Sequence, residues 1–227
     1  MKKIVIPILI FFLTLNSCKK DKEETPVFAG DINLEMLHYE FNPALQVQFQ
    51  TDSLKKIKFG IDSIDIDLDN NFDIIISQRI YLDWTDDFNR SYLEEDDFPF
   101  IGLRLKNGFE VAFKQMPFPT GLGTTNSVAM VDTLLPETRI DKIIDWHDSN
   151  MHHTAYMGYY NNSIWLWGAP PASFWLLGNY GAWYKLNNRE MYIGIRKKTD
   201  TGYKLGWIKV KVYSYDKIEI LSYAIEK

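Results

Sequence analysis

The chain has 227 residues, one Cys, and a formal net charge of -5 from 25 basic and 30 acidic residues. It is 46% hydrophobic and 15% aromatic, with 13 Gly and 9 Pro, which excludes a disordered, collagen-like or low-complexity chain. A single Cys excludes a disulfide scaffold and a Cys-rich zinc module. The acidic balance argues against nucleic acid as a partner, since a basic stripe is the usual footprint of such proteins.

The N-terminus has the pattern of an export signal. Lys2 and Lys3 precede a nearly unbroken apolar run at residues 4–15, which is too short for a membrane-spanning helix of ~20 residues. The run ends in Leu15-Asn16-Ser17-Cys18, which resembles the lipobox cut by lipoprotein signal peptidase. The resemblance implies that residues 1–17 are a signal peptide and that Cys18 becomes the lipidated N-terminus. A plain secretory peptide and an N-terminal anchor helix are the alternatives.

Residues 18–26 form the lipidated Cys and a charged tether, Lys19-Lys20-Asp21-Lys22-Glu23-Glu24, before Thr25 and Pro26. The charged stretch is similar to the export tag of surface-exposed lipoproteins of the Bacteroidota, which implies the outer face of the outer membrane. Otherwise it is a solvated tether, and the protein stays on the periplasmic face. The mature chain has 23 basic and 30 acidic residues, a charge of -7. An anionic membrane should mildly repel this negative charge. We therefore expect the membrane to be bound through the lipid on Cys18 and not through the protein surface.

Residues 27–227 show β patterns far more often than helical periodicity. Residues 45–50 alternate strictly, and residues 73–82 contain an Ile run that predicts a strand buried on both faces. Residues 207–213 alternate as well, before a last strand at 218–225. The sequence therefore predicts an all-β protein, one β-sandwich domain over 27–227 with roughly eight to twelve mainly antiparallel strands and little helix.

Two local patterns predict particular elements. Asn107 and Gly108 lie between apolar segments at 101–105 and 109–113, and both residues tolerate the positive φ of a type I′ turn, which predicts a β-hairpin. Ile residues at helical spacing predict one short helix within residues 136–146.

An acidic run predicts a calcium loop. Asp65, Asp67, Asp69 and Asp73 stand at positions 1, 3, 5 and 9, and the carbonyl of Asn71 would supply position 7. Asn70 can form the turn at position 6 because Asn tolerates the left-handed region. Two departures weaken the match: Gly is replaced at position 6, and Ile76 stands at position 12, where a bidentate Glu belongs. Without flanking helices, a loose Asp-rich β-loop remains.

The alternative for the same run is an acidic strand or turn without calcium, in which the acidic side chains are solvated. In a strand, the side chains of Asp65, Asp67 and Asp69 would stand ~7 Å apart on one side and could not share an ion. A second acidic stretch, residues 83–97, is interpreted as a solvated loop. Apart from calcium, no cofactor is expected.

Residues 149–184 carry no Asp, Glu, Lys or Arg and many aromatic side chains. Trp165, Trp167 and Trp175 are the candidate ligand-binding residues, because flat aromatic faces stack on sugars and dominate protein interfaces. The alternative is that these rings fill the core of the sandwich.

Catalytic signatures are absent from the sequence, which has no nucleophile elbow, no zinc-protease helix and no phosphate-binding loop. No catalytic residue is assigned. His147 and His152 could reach one transition metal across a loop. Their spacing matches no known metal motif, so they are interpreted as ordinary polar loop residues. A carboxylate pair for hydrolysis cannot be identified from the sequence.

The last third of the chain carries Gly181-Ala182-Trp183, then Tyr192-Ile193-Gly194-Ile195-Arg196, then Gly206-Trp207-Ile208. This series resembles the C-terminal strands of a family of uncharacterised secreted and lipid-anchored β-sandwich proteins of the Bacteroidota. The resemblance implies an all-β fold and no particular activity. We therefore expect a surface-exposed outer-membrane lipoprotein that binds a glycan or an envelope protein. The alternative is an extracytoplasmic hydrolase that uses a metal or a carboxylate pair.

Overall fold

The computed structural model describes residues 25–53, 57–81, 100–119, 125–141, 144–148, 155–161, 178–180, 183, 188–214 and 217–227. These residues form strands, turns and bends without helix, which confirms the predicted all-β class. Within this part of the chain there is no helix long and apolar enough to cross a membrane.

Fifteen strands are present in the described part of the chain, of which four have only two or three residues. The longer strands agree with the predicted range, and the short ones were not anticipated. The strands are β1 (Val27–Phe28), β2 (Met36–Gln46), β3 (Phe49–Asp52), β4 (Ile57–Ile64), β5 (Ile74–Tyr81), β6 (Phe100–Leu105), β7 (Phe109–Pro119), β8 (Thr125–Val131), β9 (Arg139–Ile140), β10 (Trp146–Asp148), β11 (Ala155–Asn161), β12 (Gly178–Tyr180), β13 (Glu190–Thr199), β14 (Gly202–Ser214) and β15 (Lys217–Glu226).

The strands build two large sheets that share β7. Sheet I has the order β2-β15-β14-β13-β7, with β10 also paired to β7. Sheet II has the order β7-β8-β11-β6-β5-β4-β3, with β12 paired to β11. All pairs are antiparallel except the one between β11 and β8. The first half of β7 contacts β13 and its second half contacts β8, so one long strand passes from one sheet to the other.

The sheets are joined a second time at the opposite edges. β2 ends sheet I and β3 ends sheet II, and only Val47 and Gln48 separate these strands in the chain. The chain approaches β4 closely here, because a Cβ at Gly60 would lie 2.6 Å from Val47 Cγ1 and 2.9 Å from the Gln48 carbonyl oxygen. Because the chain passes from sheet I to sheet II at Val47 and Gln48, residues 45–50 belong to two strands, although their alternation predicts one.

The main core lies between the two sheets. Alternate residues of β4, β5 and β6 point inward from sheet II, and their partners on β13, β14 and β15 point inward from sheet I. Among the β5 residues whose burial is described, Ile74 and Ile76 are fully buried while Ile75 and Ser77 are partly exposed, so the expectation of burial on both faces was wrong. Fully buried members of this core include Ile66, Ile74, Ile76, Leu103, Phe109, Val111, Ile193, Ile195, Val210 and Tyr223.

A bulge in β15 keeps both halves of the last strand in the same core. The register against β14 shifts between Ile220 and Ser222, which leaves Leu221 as the extra residue on β15. Against β2 the register shifts at the same place, where residues 41–44 of β2 stand opposite Leu221. Because of this shift, Ile220 and Tyr223 both belong to the main core although three positions separate them.

A second core covers the outer face of sheet I. Trp207 and Tyr192 project from this face and meet edge to face, with ring centroids 5.3 Å apart and planes at 88°. The short β1–β9 pair and the segment leading to β2 lie over them, contributing Val27, Ala29 and Met36. One part of the fold is therefore three layers thick.

The C-terminal motif consists of packing residues. Gly194 lies opposite Trp207 in the ladder, and a Cβ there would stand 3.0 Å from Ala112 Cβ and 3.1 Å from Leu134 Cδ1. A Cβ at Gly206 would meet the Ala224 carbonyl oxygen at 2.3 Å. Both glycines therefore permit close approach of neighbouring strands.

Arg196, the last residue of the second motif segment, is held on three sides. Its guanidinium pairs with Glu110, which lies opposite on β7. The same group stands 4.7 Å from the ring centroid of Trp146 and 4.0 Å from that of Tyr203. The described residues of the second and third motif segments thus specify how sheet I packs.

Two local predictions were wrong. The Asn107-Gly108 turn forms, with φ values of 54° and 76°. However, β6 pairs with β5 and β11 in sheet II, whereas β7 begins in sheet I beside β13. The turn therefore joins two sheets, and β6 and β7 do not form a hairpin. Local sequence sets the turn, whereas burial of apolar residues from both sides of the core sets the strand partners. The segment expected to be helical contains β9 and the start of β10 among its described residues.

Candidate functional site: the acidic loop between β4 and β5

The acidic run forms a loop, because β4 ends at Ile64 and β5 begins at Ile74. The carboxylate of Asp65 accepts hydrogen bonds from the backbone N–H groups of Asp69 and Asn70, at 3.2 and 2.8 Å. Leu68 and Asn70 have φ of 61° and 68°, and the sequence anticipated the left-handed Asn. Short acidic and amide side chains favour such turns by bonding to nearby backbone. An extended strand is therefore wrong for this run, whereas a turn, the other form of the alternative to a calcium loop, is what the structure shows.

Asp73 ties this loop to the turn between β6 and β7. Its carboxylate is fully buried and accepts hydrogen bonds from the Ile66 backbone N–H at 2.8 Å and from Asn107 Nδ2 at 3.0 Å. Its carbonyl accepts from the N–H of Lys106 at 2.8 Å. Burial raises the pKa of the Asp73 carboxyl, and the two hydrogen bonds oppose this effect only in part.

Lys197, at the end of β13, supplies the positive charge of the site. Its ammonium forms an ion pair with Asp67 Oδ2 and lies 5.3 Å from the ring centroid of Phe109. Burial, the largest contribution, lowers the pKa of Lys197, but the hydrogen bond and charge of Asp67, together with Asp73, outweigh it and the pKa is raised. The other oxygen of Asp67, Oδ1, is buried and has no hydrogen-bond partner among the described residues.

Three of the five predicted calcium ligands converge. Carboxylate oxygens of Asp65, Asp67 and Asp73 lie within 4.8 Å of one another. Asp69 is exposed outside this group and accepts a hydrogen bond from the backbone N–H of Asn71 at 2.8 Å. Calcium needs six to eight oxygens, and the Lys197 ammonium already neutralises Asp67. Calcium binding stays a prediction, and any ion here must compete with the lysine.

Calorimetric titration with Ca²⁺ tests this prediction. We expect a dissociation constant of about 10⁻³ M for the wild type, at the weak end of extracellular calcium modules, because the ammonium competes with the ion. Lys197→Gln removes the competing charge and should tighten binding by about tenfold or more. Asp67→Ala should abolish the heat. If neither the wild type nor Lys197→Gln gives heat, the loop does not bind calcium.

Tyr223, a main-core residue on β15, contacts the acidic loop from the core side. Its hydroxyl donates a hydrogen bond to the Asp65 carbonyl oxygen at 3.0 Å, and its ring stacks on Tyr39 with centroids 5.7 Å apart. Burial, followed by the nearby acidic charge of Asp65, raises the pKa of Tyr223 to about 12. The hydroxyl therefore remains a donor across the physiological pH range.

The raised pKa of Tyr223 predicts a specific alkaline instability. An unfolded tyrosine ionises near pH ~10, whereas Tyr223 in the fold ionises at about 12. Between these values the unfolded chain holds fewer protons than the folded one, so the free energy of unfolding falls as pH rises. Urea unfolding of Tyr223→Phe should show a shallower fall over this window, together with a loss of about 1 kcal/mol at neutral pH from the missing hydrogen bond. Equal slopes in both proteins would contradict the assignment.

The loop also presents apolar side chains to solvent. Leu68 is 54% exposed and Phe72 is 59% exposed, and both flank the converging carboxylates. A loop whose backbone is held by Asp65, Asp69 and Asp73 thus displays two large apolar groups beside a charged cluster. Loops on a rigid sandwich commonly carry recognition residues.

The other candidate residues are placed only in part. Trp165, Trp167, Trp175 and His152 lie outside the described residues, and their roles remain predictions. Trp183, from the same uncharged segment, is buried in the main core and its indole N–H donates to the Val131 carbonyl oxygen at 3.2 Å. The backbone of His147 pairs with Val111 on β7.

Sequence reasoning missed the partners that complete the acidic site. Lys197 lies 130 residues from Asp67 along the chain, and Tyr223 lies 158 residues from Asp65. Asn107 was identified only as a turn residue. No local signal in the sequence marks any of these three as a neighbour of the loop.

Comparisons of the chain with protein-family models, with curated proteins and with solved structures return no match.

Proposed function

We propose that this protein is an outer-membrane lipoprotein, anchored through lipid on Cys18 and displayed at the cell surface, whose β-sandwich binds a glycan or another envelope protein. The observation that carries the proposal is the position of the sole Cys of the chain directly after Leu15-Asn16-Ser17 at the end of an apolar export signal. Lipid attachment needs a Cys at this point and nowhere else.

The acidic loop supports a binding role for the sandwich. Leu68 and Phe72 are exposed beside Asp65 and Asp67, so the loop combines apolar contact area with hydrogen-bond acceptors. That combination suits a polyhydroxylated ligand or the polar rim of a protein partner.

The same geometry favours binding over the hydrolase alternative. Both oxygens of Asp73 accept hydrogen bonds from the fold itself, and Asp67 is paired with Lys197. Carboxylates engaged in this way hold the loop in shape and are poorly placed to exchange protons with a substrate.

A glycan-array screen of the purified full chain, in Ca²⁺ and in EDTA, tests the proposal. A double variant, Leu68→Ser with Phe72→Ser, should lose about tenfold or more of the signal, since buried aromatic and aliphatic anchors dominate binding energies. The matched control is Ile61→Ser, an equally exposed apolar residue on β4, which should bind like the wild type. Absence of any glycan hit would overturn sugar binding and leave an envelope protein as the ligand.

A further inference from the structure

The segment that precedes β2 has a buried side and an exposed apolar side. Val27, Ala29 and Met36 point into the second core against the outer face of sheet I. Between them, large apolar side chains face solvent. We define the apolar N-terminal patch as these residues with one neighbour from the segment before β9: Phe28 (38% exposed), Ile32 (55%), Leu34 (94%) and Leu135 (62%).

Hydrogen bonds join the two parts of the patch. The backbone N–H of Ala29 donates to the Thr138 carbonyl at 2.9 Å, and the N–H of Glu137 donates to the Ala29 carbonyl at 2.8 Å. The N–H of Thr138 donates to the Leu135 carbonyl at 3.1 Å. The turn that carries Leu135 is therefore bonded to the segment that carries Phe28, Ile32 and Leu34.

The backbone that carries the patch is fixed as well. The N–H of Met36 donates to the Asn33 carbonyl at 3.1 Å, which closes a turn around Leu34. Lys227 Nζ donates to the Leu34 carbonyl at 2.8 Å, and the indole N–H of Trp207 donates to the Asp31 carbonyl at 3.0 Å. Because the backbone is held at these points, the exposed side chains stay exposed in the free protein and are available to a contact outside the domain.

The length of the tether limits how far the start of the domain can lie from the membrane. Thr25, where the described structure begins, is seven residues after Cys18. Seven residues span at most about 25 Å when fully extended. With a lipid on Cys18, Thr25 and the start of β1, which lies over the outer face of sheet I, are therefore within that distance of the bilayer surface.

We propose that the apolar N-terminal patch contacts the lipid surface directly and sets the orientation of the anchored domain, with the outer face of sheet I towards the membrane and the outer face of sheet II away from it. This inference rests on the proposed lipid anchor. Peripheral attachment commonly combines an acyl chain with a second contact from the protein.

The charged residues around the patch indicate which lipid headgroups it can contact. Asp31, Glu35 and Glu137 lie on the segments that carry it, against Arg139 and Lys227. This small acidic excess disfavours anionic headgroups. The patch therefore suits a surface of zwitterionic phospholipid, and its contact should weaken as anionic lipid is added.

The experiment uses the lipidated full chain reconstituted in phosphatidylcholine vesicles that contain a lipid-borne quencher. Cys18 is the only Cys and carries the lipid, so Leu34→Cys introduces a single free thiol for an environment-sensitive fluorophore. The matched control is Ile61→Cys, which is 65% exposed on the outer face of sheet II. We expect at least threefold stronger lipid quenching at position 34 than at position 61, and a smaller difference with anionic vesicles.

Each other outcome overturns the inference in a distinguishable way. Equal, weak quenching at both positions on vesicle-bound protein would refute the orientation and leave the lipoprotein proposal standing. Release of the protein from the vesicles by washing would refute the anchor and the inference together. A disulfide between two copies of the unlabelled Leu34→Cys protein would assign the patch to a second copy of this chain.

Discussion

Replacing Cys18 with Ser is expected to abolish the incorporation of radiolabelled palmitate and to remove the protein from the outer-membrane fraction. Each buried methylene of an acyl chain contributes about 0.8 kcal/mol to membrane binding, so loss of the lipid changes membrane affinity by many orders of magnitude. The described residues contain no helix that is long and apolar enough to cross a membrane in its place. Metabolic labelling and membrane fractionation measure the two effects.

The control for this experiment is Ser17→Ala, which keeps a small residue before Cys18 and should be labelled and localised like the wild type. If Cys18→Ser still incorporates palmitate, or still reaches the outer membrane, the lipidation proposal is wrong. In that case the apolar stretch at residues 4–15 acts as a plain secretory signal or as an anchor helix, the alternatives that the sequence left open.

Trp207→Ala is expected to be the most destabilising substitution among those considered. Trp207 is 2% exposed, packs edge to face on Tyr192, and donates its indole N–H to the Asp31 carbonyl at 3.0 Å. Removing a buried Trp side chain costs about 3–5 kcal/mol, since it leaves both a cavity and the lost transfer energy. The Asp31 carbonyl also loses its partner, which loosens the segment that bears the apolar N-terminal patch.

Urea unfolding measures this loss, with two controls. Trp207→Phe keeps most of the ring and loses the indole hydrogen bond, so its cost should be about 1–2 kcal/mol. Ile61→Ala changes an exposed side chain and should stay within about 0.5 kcal/mol of the wild type. A loss for Trp207→Ala no larger than that for Ile61→Ala would show that the second core contributes little to stability.

Strands with strict alternation could be recognised from sequence because period-two burial is a local property. The alternation over residues 207–213 lies within β14, and the run at 218–225 lies within β15. Strand partners could not be recognised in this way. The Asn107-Gly108 turn has the expected positive φ at both residues, yet it connects two different sheets, because apolar residues on either side of it face each other across the core.

The acidic loop could also be predicted from sequence only in part. Asp65, Asn70 and their spacing determine the turn, since short polar side chains bond to backbone a few residues away. The neutralising charge of Lys197 and the hydrogen bond from Asn107 come from distant strands. A list of candidate ligands was therefore accessible from sequence, whereas the ammonium that competes with an ion was not.

By itself, the sequence predicted the all-β class and the position of the acidic turn, which the structure confirms, and an export signal ending in the sole Cys, which stays a prediction. These features depend on composition and on contacts between residues within about ten positions of each other, so they can be recognised from the sequence alone. Only the tertiary structure decided that β7 is shared by two sheets, that Lys197 and Tyr223 complete the acidic loop, and that Phe28, Ile32 and Leu34 face solvent beside a second core. Those features depend on which strands meet across the core, and the packing of the whole chain sets that choice.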